Sequence, residues 1–545
     1  MYSIVSTAII RGINSIPVQV EADVSDGMPV FDMVGFLASE VKEARERVRT
    51  ALRNSGYRLP AKRITVNLSP ANIKKTGSGF DLPVAVAILA AIGIVPGWKL
   101  TGILITGEIG LNGNIQPIEG ILPIVAEAAG HGFVKCIVPY DNRSEAAMIK
   151  DIQILAVRTI KEVIEYLNKE YNEEYLNKEY LNKENIPGQS SPACHAAAGY
   201  KEDARPGGID SGNPAVEDND ISPDFSQING QRLVRRASEV AAAGMHNLFL
   251  IGPPGAGKTM IAQRIPTILP PMCAPEQLEL AKIYSISGML LQGSDIWKKR
   301  PFRSPHHTIT PQGLVGGGAS PKPGEISLAH KGVLFLDELA EFQKSTLELL
   351  RQPMEDKQIH LARLSGSCSY PADFMLVAAS NPCPCGAYPD MNRCRCTQHA
   401  IDRYLGRISQ PLLDRIDICV EAAQLTYEEL TADSANESSA AIRKRVCAAW
   451  ELQKARYEGM GFYFNSQIPA GRLKEFCGIT RREEDYLHDL YQTGSLTARA
   501  YHKILRVART IADLSYSSRV EVCHLSEAFC YRSFDRKYWE RWQHG

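Results

Sequence analysis

A glycine-rich turn that ends in lysine and threonine can hold a nucleoside triphosphate. The run Gly252, Pro253, Pro254, Gly255, Ala256, Gly257, Lys258, Thr259, Met260 has this form. The apolar segment NLFLI precedes it and the apolar segment MIAQRI follows. A strand entering such a turn and a helix leaving it aim backbone N–H groups and the positive end of the helix dipole at phosphate. Lys258 would reach the β- and γ-phosphates, and the Thr259 hydroxyl would ligate Mg²⁺. Downstream, GVLFLDELAEF (332–342) is an apolar run that ends in two carboxylates. Asp337 is placed to hold Mg²⁺ and Glu338 to polarise an attacking water, two tasks that phosphoryl transfer needs at one strand end. A third apolar run, FMLVAASN, ends in Asn381, a polar side chain suited to positioning that water.

Four thiols follow directly. NPCPCGAYPDMNRCRCT (381–397) places Cys383, Cys385, Cys394 and Cys396 in the pattern C-x-C-x8-C-x-C. Four thiolates suffice for a tetrahedral Zn²⁺, and His399 is near enough to substitute for one of them. The spacing departs from the two-residue gap of the familiar zinc knuckle. Free thiols in a loop and a redox pair therefore stand beside the zinc reading, although a C-x-C disulfide is strained. Each reading makes the segment a device that shapes the loop after Asn381. The adjacent His306 and His307 in FRSPHHT (302–308) are expected to pack and hydrogen-bond in a turn, because neighbours on an extended strand point apart.

The elements that must position these groups follow from pattern and composition. The chain has 545 residues, which implies roughly two to four domains. Its 44% hydrophobic content is that of an ordinary globular protein. With formal net charge +0, the protein as a whole has no field that selects nucleic acid or a membrane. The longest apolar run, 82–96, is shorter than a membrane span and contains Pro83 and Pro96, so it reads as a buried helix. No secretory signal pattern opens the chain, and its 13 cysteines are an odd number. Reduced thiols, a cytoplasmic location and no membrane partner are expected. Residues 1–165 alternate strand and helix patterns. A helix is predicted over 39–56, with Val41, Ala44, Val48 and Leu52 on one face. Residues 166–222 read as a linker: a YLNKE repeat, then a stretch rich in Gly, Pro, Ser and charge. A partner-binding helix is the alternative for the repeat. Strand–helix alternation returns over 223–425, and helical patterns fill 426–545. The fold class is α/β.

The order of these motifs, continued by PLLDRIDICV (411–420) and TARAYHKILRVARTIADL (497–514), resembles the AAA+ ATPases. Within them it is similar to the clade of the magnesium-chelatase ATPase subunit and the minichromosome-maintenance helicases. The segments DFSQINGQRLVRRASEVAAAGMHNLFLIGPPGAGKT, FRSPHHTITPQGLVGGG and NPCPCG resemble the ComM/YifB family over nearly the whole chain outside 166–222. The resemblance implies a P-loop core with a helical lid, ATP and Mg²⁺ as cofactors, and a homo-hexameric ring. It implies a DNA partner and a role in branch migration when incoming single-stranded DNA is integrated, with a chelatase-like or protein-remodelling motor without a nucleic-acid substrate as the alternative. Arg415 would act on the neighbouring subunit's nucleotide, with a surface salt bridge as its plain alternative. Arg499, or failing that Arg506, would touch the γ-phosphate of its own subunit from the lid. A hairpin over 355–374 would point into the ring pore and bring Lys357, His360 and Arg363 to a nucleic-acid backbone. The insert 313–331, with Lys322, would be a second pore loop. The C-terminal YRSFDRKYWERW suits stacking on bases or packing of a helix equally.

The N-terminal stretch IKKTGSGFDLPVAVAILAA (73–91) and GEIGLNGNIQPIEGILPIVAEAAGHGF (107–133) resembles the Lon protease domain and its non-proteolytic counterpart in RadA-type motors. Lon-type proteolysis needs a serine and a lysine. The resemblance aligns those positions with Gly79 and Ile124, leaving Ser78 without a lysine base. The fold is expected to be retained and the proteolysis lost. Lys62, Arg63, Lys74 and Lys75 form a basic cluster that meets phosphates or simply faces solvent.

Overall fold

The computed structural model describes residues 1–169, 223–292, 296–318, 321–363, 366–431, 436–492, 497–532 and 538–539. Most of the YLNKE repeat and the Gly/Pro-rich stretch after it lie outside the described residues, as do the hairpin tip 364–365 and most of the C-terminal aromatic segment.

The N-terminal part is built on a mixed seven-stranded sheet. Its order is Phe31–Val34, Arg63–Ser69, Asn14–Ser25, Tyr2–Arg11, Ile103–Ile105, Lys135–Pro139, Gln153–Val157. The two long strands pair antiparallel, with Val5 opposite Val20, and turn at Gly12. The helix Ser39–Asn54 buries Val41, Ala44, Val48 and Leu52, the predicted stripe. The helix Asp81–Ala91 is buried on nearly every side, which is why its sequence lacks a polar face. At its start the buried Asp81 accepts two bonds from Arg47, at 2.8 and 2.9 Å. Among the described residues no helix is long and apolar enough to cross a membrane. The last helix, Ile160–Asn168, runs three residues past the expected boundary at 165. Leu167 is buried with Ile160, Val163 and Ile164, and Tyr166 lies under Lys135 at 4.9 Å, so packing carries the element on.

The second sheet is wholly parallel, in the order Phe302–Arg303, Val333–Leu336, Met375–Ser380, Leu248–Ile251, Ile418–Glu421. The three central strands are buried along their full length, so their sequences run apolar without alternation. A parallel sheet gathers the carboxyl ends of its strands along one edge. Gly252, Asp337 and Asn381 each follow such an end.

The C-terminal helices Ser439–Arg456, Ala498–Leu514 and Val522–Cys530 share one apolar cluster with the P-loop strand and the helix Arg232–Gly244. Ile442, Val446, Leu505 and Ala508 are buried in it, while Trp450 is buried apart from it and Tyr501 packs at its margin. The N-terminal part docks on the helix Ala274–Ile286, where Gly120 N–H donates to the Ser285 carbonyl at 3.0 Å and Leu122 N–H to its hydroxyl at 3.2 Å. Beside this contact Arg11 Nε donates to the Ser367 carbonyl at 3.2 Å, joining the first hairpin to the hairpin Gln358–Arg363/Gly366–Pro371.

Candidate nucleotide site

The strand Leu248–Ile251 delivers the chain into the turn 252–257, and the helix Lys258–Ile268 leaves it. Gly252 passes so close to the next strand that a Cβ there would lie 2.3 Å from the Ala422 carbonyl oxygen. Gly255 and Gly257 have positive φ, 78° and 79°, which lets successive N–H groups turn to one side.

Lys258 Nζ donates to the carbonyls of Gly252 at 2.7 Å and Pro253 at 2.9 Å, and to Asn381 Oδ1 at 3.0 Å. Burial lowers its pKa, opposed by the charges of Asp337 and Glu338. Thr259 Oγ1 donates to Asp337 Oδ2 at 2.6 Å. These are the two side chains singled out for Mg²⁺, and the ends of the two strands that flank Met375–Ser380 bring them into contact. Asp337 Oδ1 accepts from the Glu338 N–H at 2.9 Å. Glu338 has φ of 50°, a left-handed conformation uncommon for a side-chain-bearing residue, and its carboxylate is 54% exposed. Two hydrogen-bonded pairs, Lys258–Asn381 and Thr259–Asp337, thus stand side by side at the start of one helix, with Glu338 at their margin. The hard oxygens of Thr259 and Asp337 suit Mg²⁺ held with water and phosphate oxygens.

Sequence reasoning missed a side chain here. The edge strand Phe302–Arg303 lies beside the Asp-Glu strand, and the turn after it brings His307 Nδ1 to 3.7 Å from Glu338 Oε2. The His306 and His307 rings lie 4.0 Å apart between centroids, tilted by 35°. Only the sheet order makes these residues neighbours.

Arg415 and Arg499 share a second location. Arg415 is mostly buried, with Nη2 at 2.5 Å from Glu355 Oε1 and Nη1 donating to the Pro411 carbonyl at 2.5 Å. Arg499 is exposed, with Nη1 at 3.7 Å from Asp414 Oδ2. Both line a cavity of about 820 Å³ together with Lys503 and Arg506, and none of residues 252–260 reaches it. Arg499 therefore stands with Arg415 in a cavity that its own residues 252–260 do not line, whereas its expected place is at its own subunit's phosphates. Thr497 caps the helix Ala498–Leu514 opposite the short helix Gln410–Leu413, which sets Arg499 beside Arg415 instead. Arg506 points inward, with Nε donating to the Ile468 carbonyl at 2.9 Å.

The cationic residues assigned to nucleic acid have carboxylate partners or lie on the hairpin. Lys322 bonds Glu119 at 2.7 Å, and Lys357 lies 3.4 Å from Asp373. Arg363 stands opposite Gly366, so Gly366 belongs to the strand. In the N-terminal part Lys62 pairs with Asp26 at 2.8 Å and Arg63 with Asp32 at 3.6 Å. Lys75 does not belong to that basic face. It is fully buried and donates to the Pro70 carbonyl, held there by pairing with Leu37. The Ser78 hydroxyl donates to Glu108, Gly79 lies against Thr106, and Ile124 is buried among apolar side chains.

The four cysteines converge. Their sulfurs all lie within 4.8 Å of one another, with Cys383 and Cys394 buried and Cys385 exposed. His399 is outside the group, on the exposed side of the helix Gln398–Leu405. Hydrogen bonds from the Ala387 and then the Arg395 backbone pull the Cys385 thiol down to about 6.

Comparison with known proteins fits this geometry. The family model "Magnesium chelatase, subunit ChlI" matches residues 224–430, its C-terminal counterpart matches 436–532, and "Subunit ChlI of Mg-chelatase" matches 20–142. Escherichia coli YifB is 40% identical over 536 residues, covering 98% of this chain and 97% of that protein. The "Competence protein ComM" of Haemophilus influenzae is 37% identical over 527 residues, 96% of each. "Lon protease 2" of Bacillus subtilis is 34% identical over 128 residues, 23% of each chain. With near-complete coverage at such identity, the chain belongs to the ComM/YifB family of Mg-chelatase-like AAA+ proteins, with Lon homology in its N-terminal region.

Proposed function

We propose that this protein is a ring-forming ATPase that moves along single-stranded or branched DNA and promotes branch migration during recombination of incoming DNA. The observation that carries the ATPase reading is the meeting of Lys258, Thr259, Asp337 and Asn381 at the carboxyl edge of one parallel sheet. Lys258 and the backbone of 252–260 would hold the triphosphate, and Thr259 and Asp337 would hold Mg²⁺. The metal supplies charge neutralisation at the transferred phosphoryl group. Glu338 would take the proton of the attacking water, and Asn381 would orient that water.

Arg415 and Arg499 occupy one face away from their own P-loop. A homo-hexamer would set that face against the next subunit's nucleotide. Residues 1–168 would be a Lon-like domain without proteolysis, since Gly79 and Ile124 offer neither nucleophile nor base. Residues 223–425 would be the ATPase core, 426–545 the lid and 169–222 a linker. The DNA assignment draws its support from the name of the Haemophilus relative and from the cationic hairpin and loop, where Lys357 and Lys322 would exchange their carboxylate partners for phosphate. The four thiols would take Zn²⁺.

The test is ATPase activity of the purified full chain, with and without single-stranded and forked DNA, beside Lys258→Ala. Stimulation that weakens as salt rises, absent in Lys258→Ala, is expected. Full turnover indifferent to every DNA would overturn the DNA reading while leaving the ATPase standing.

A further inference from the structure

We propose that the four-cysteine loop holds one zinc-class cation and that this metal is the fastening that positions the nucleotide turn. The inference rests on the reading of residues 252–259 as an ATP site.

The donor set fits the ion. A tetrahedron with Zn–S bonds of about 2.3 Å has sulfur–sulfur edges of about 3.8 Å. Cys383 Sγ lies 3.4 Å from Cys385 Sγ and 3.8 Å from Cys394 Sγ, and the last two are 3.6 Å apart. A disulfide would need about 2.05 Å. The Tyr388 N–H donates to Cys383 Sγ at 3.4 Å, a contact that stabilises a thiolate. Between Asn381 and the helix Gln398–Leu405 the chain forms only turns, so neither helix nor strand fixes its shape. Metal bonds would.

The loop touches the nucleotide turn at two points. Asn381, two residues before the first cysteine, accepts a hydrogen bond from Lys258 Nζ. Gly386, in the turn between Cys385 and Cys394, has φ of 79° and lies flat against Pro254. A Cβ on Gly386 would fall 2.3 Å from Pro254 Cδ. On its other side Arg393 donates to Gln424 Oε1 at 3.2 Å, just beyond the last strand of the sheet. A cation that ties Cys383 and Cys385 to Cys394 and Cys396 therefore sets where Asn381 and Gly386 stand, and through them Lys258 and Pro254. The thiols give up their protons to solvent as they bind the ion.

The experiment uses untagged full-length protein. Metal analysis should give close to one zinc per chain. Release of zinc with a mercurial should weaken binding of a fluorescent ATP analogue by about tenfold or more, the scale of a lost supporting shell. Restoring thiol and adding Zn²⁺ should reverse it. Gly386→Ala should keep its zinc and still weaken the same binding, which separates the contact from the metal. Cys385→Ser should lose both. Zinc near zero, or nucleotide affinity unchanged after release, overturns the inference alone. Zinc-loaded protein that binds no nucleotide overturns the ATP reading and this inference with it.

Discussion

His246 offers a quantitative test of how the helical C-terminal part is fastened to the nucleotide core. It lies between the helix Arg232–Gly244 and the strand that enters the P-loop, and its ring is wholly buried. Nε2 is 2.7 Å from Thr510 Oγ1 on the helix Ala498–Leu514, and Nδ1 is 3.9 Å from Asp417 Oδ2. Burial pushes its pKa down to about 4, Asp417 acting upward and Arg506 downward. In the unfolded chain the value is about 6.5. A base whose folded value is depressed stays neutral while the unfolded chain takes up a proton. Its stability is thus complete above about pH 6.5 and is lost as pH falls toward about 4. Between about pH 7 and about pH 5 the loss is about 1.8 kcal/mol, close to twentyfold in an opening equilibrium. His246→Gln keeps a donor toward Thr510 and does not titrate. Amide hydrogen exchange across residues 498–514, corrected for intrinsic rates, should lose about twentyfold protection on acidification in the native protein. The variant should lose far less. Equal pH slopes in both proteins would refute the assignment of this linkage to His246.

The remaining expectations concern the site and the N-terminal part. Arg415→Ala and Arg499→Ala should each lose turnover, and mixing either with Lys258→Ala should restore it, because in the proposed ring the two defects would fall on opposite sides of one subunit interface. Mixed rings that stay inactive would return both arginines to their own subunit. His307→Ala should lower kcat by about tenfold with little change in KM, since Glu338 loses the side chain that aims it. A change confined to KM would place His307 in nucleotide binding instead. Asp81→Ala should cost about 3–5 kcal/mol by leaving Arg47 without its buried partner. Denaturation of the N-terminal part that is unaltered by this change would show that the pair adds nothing.

Much of the molecule was legible because its signals are local. A P-loop is one strand, one turn and one helix start, so residues 252–260 announce themselves in order. The apolar runs at 248–251, 333–336 and 375–380 are buried on both faces and could only be central strands of a covered sheet. The stripe Val41, Ala44, Val48, Leu52 is a helix face whatever it packs on. Where a segment ends is less local. Leu167 extends the N-terminal fold past 165 because of what it touches.

By itself, then, the sequence determined the strand ends that carry Lys258, Thr259, Asp337, Glu338 and Asn381, the four thiols, and the α/β class. Chemistry there depends on residue type and short spacing, both written along the chain. Only the tertiary structure decided which distant residues meet. It set His307 beside Glu338 through strand order, Gly386 against Pro254 through a loop with no periodicity, and Arg499 beside Arg415 rather than at its own P-loop. It also took Lys75 out of the basic face and buried it. The physical reason is common to all four. Side chains far apart in sequence are brought together by packing of whole elements, and no spacing along the chain encodes that packing.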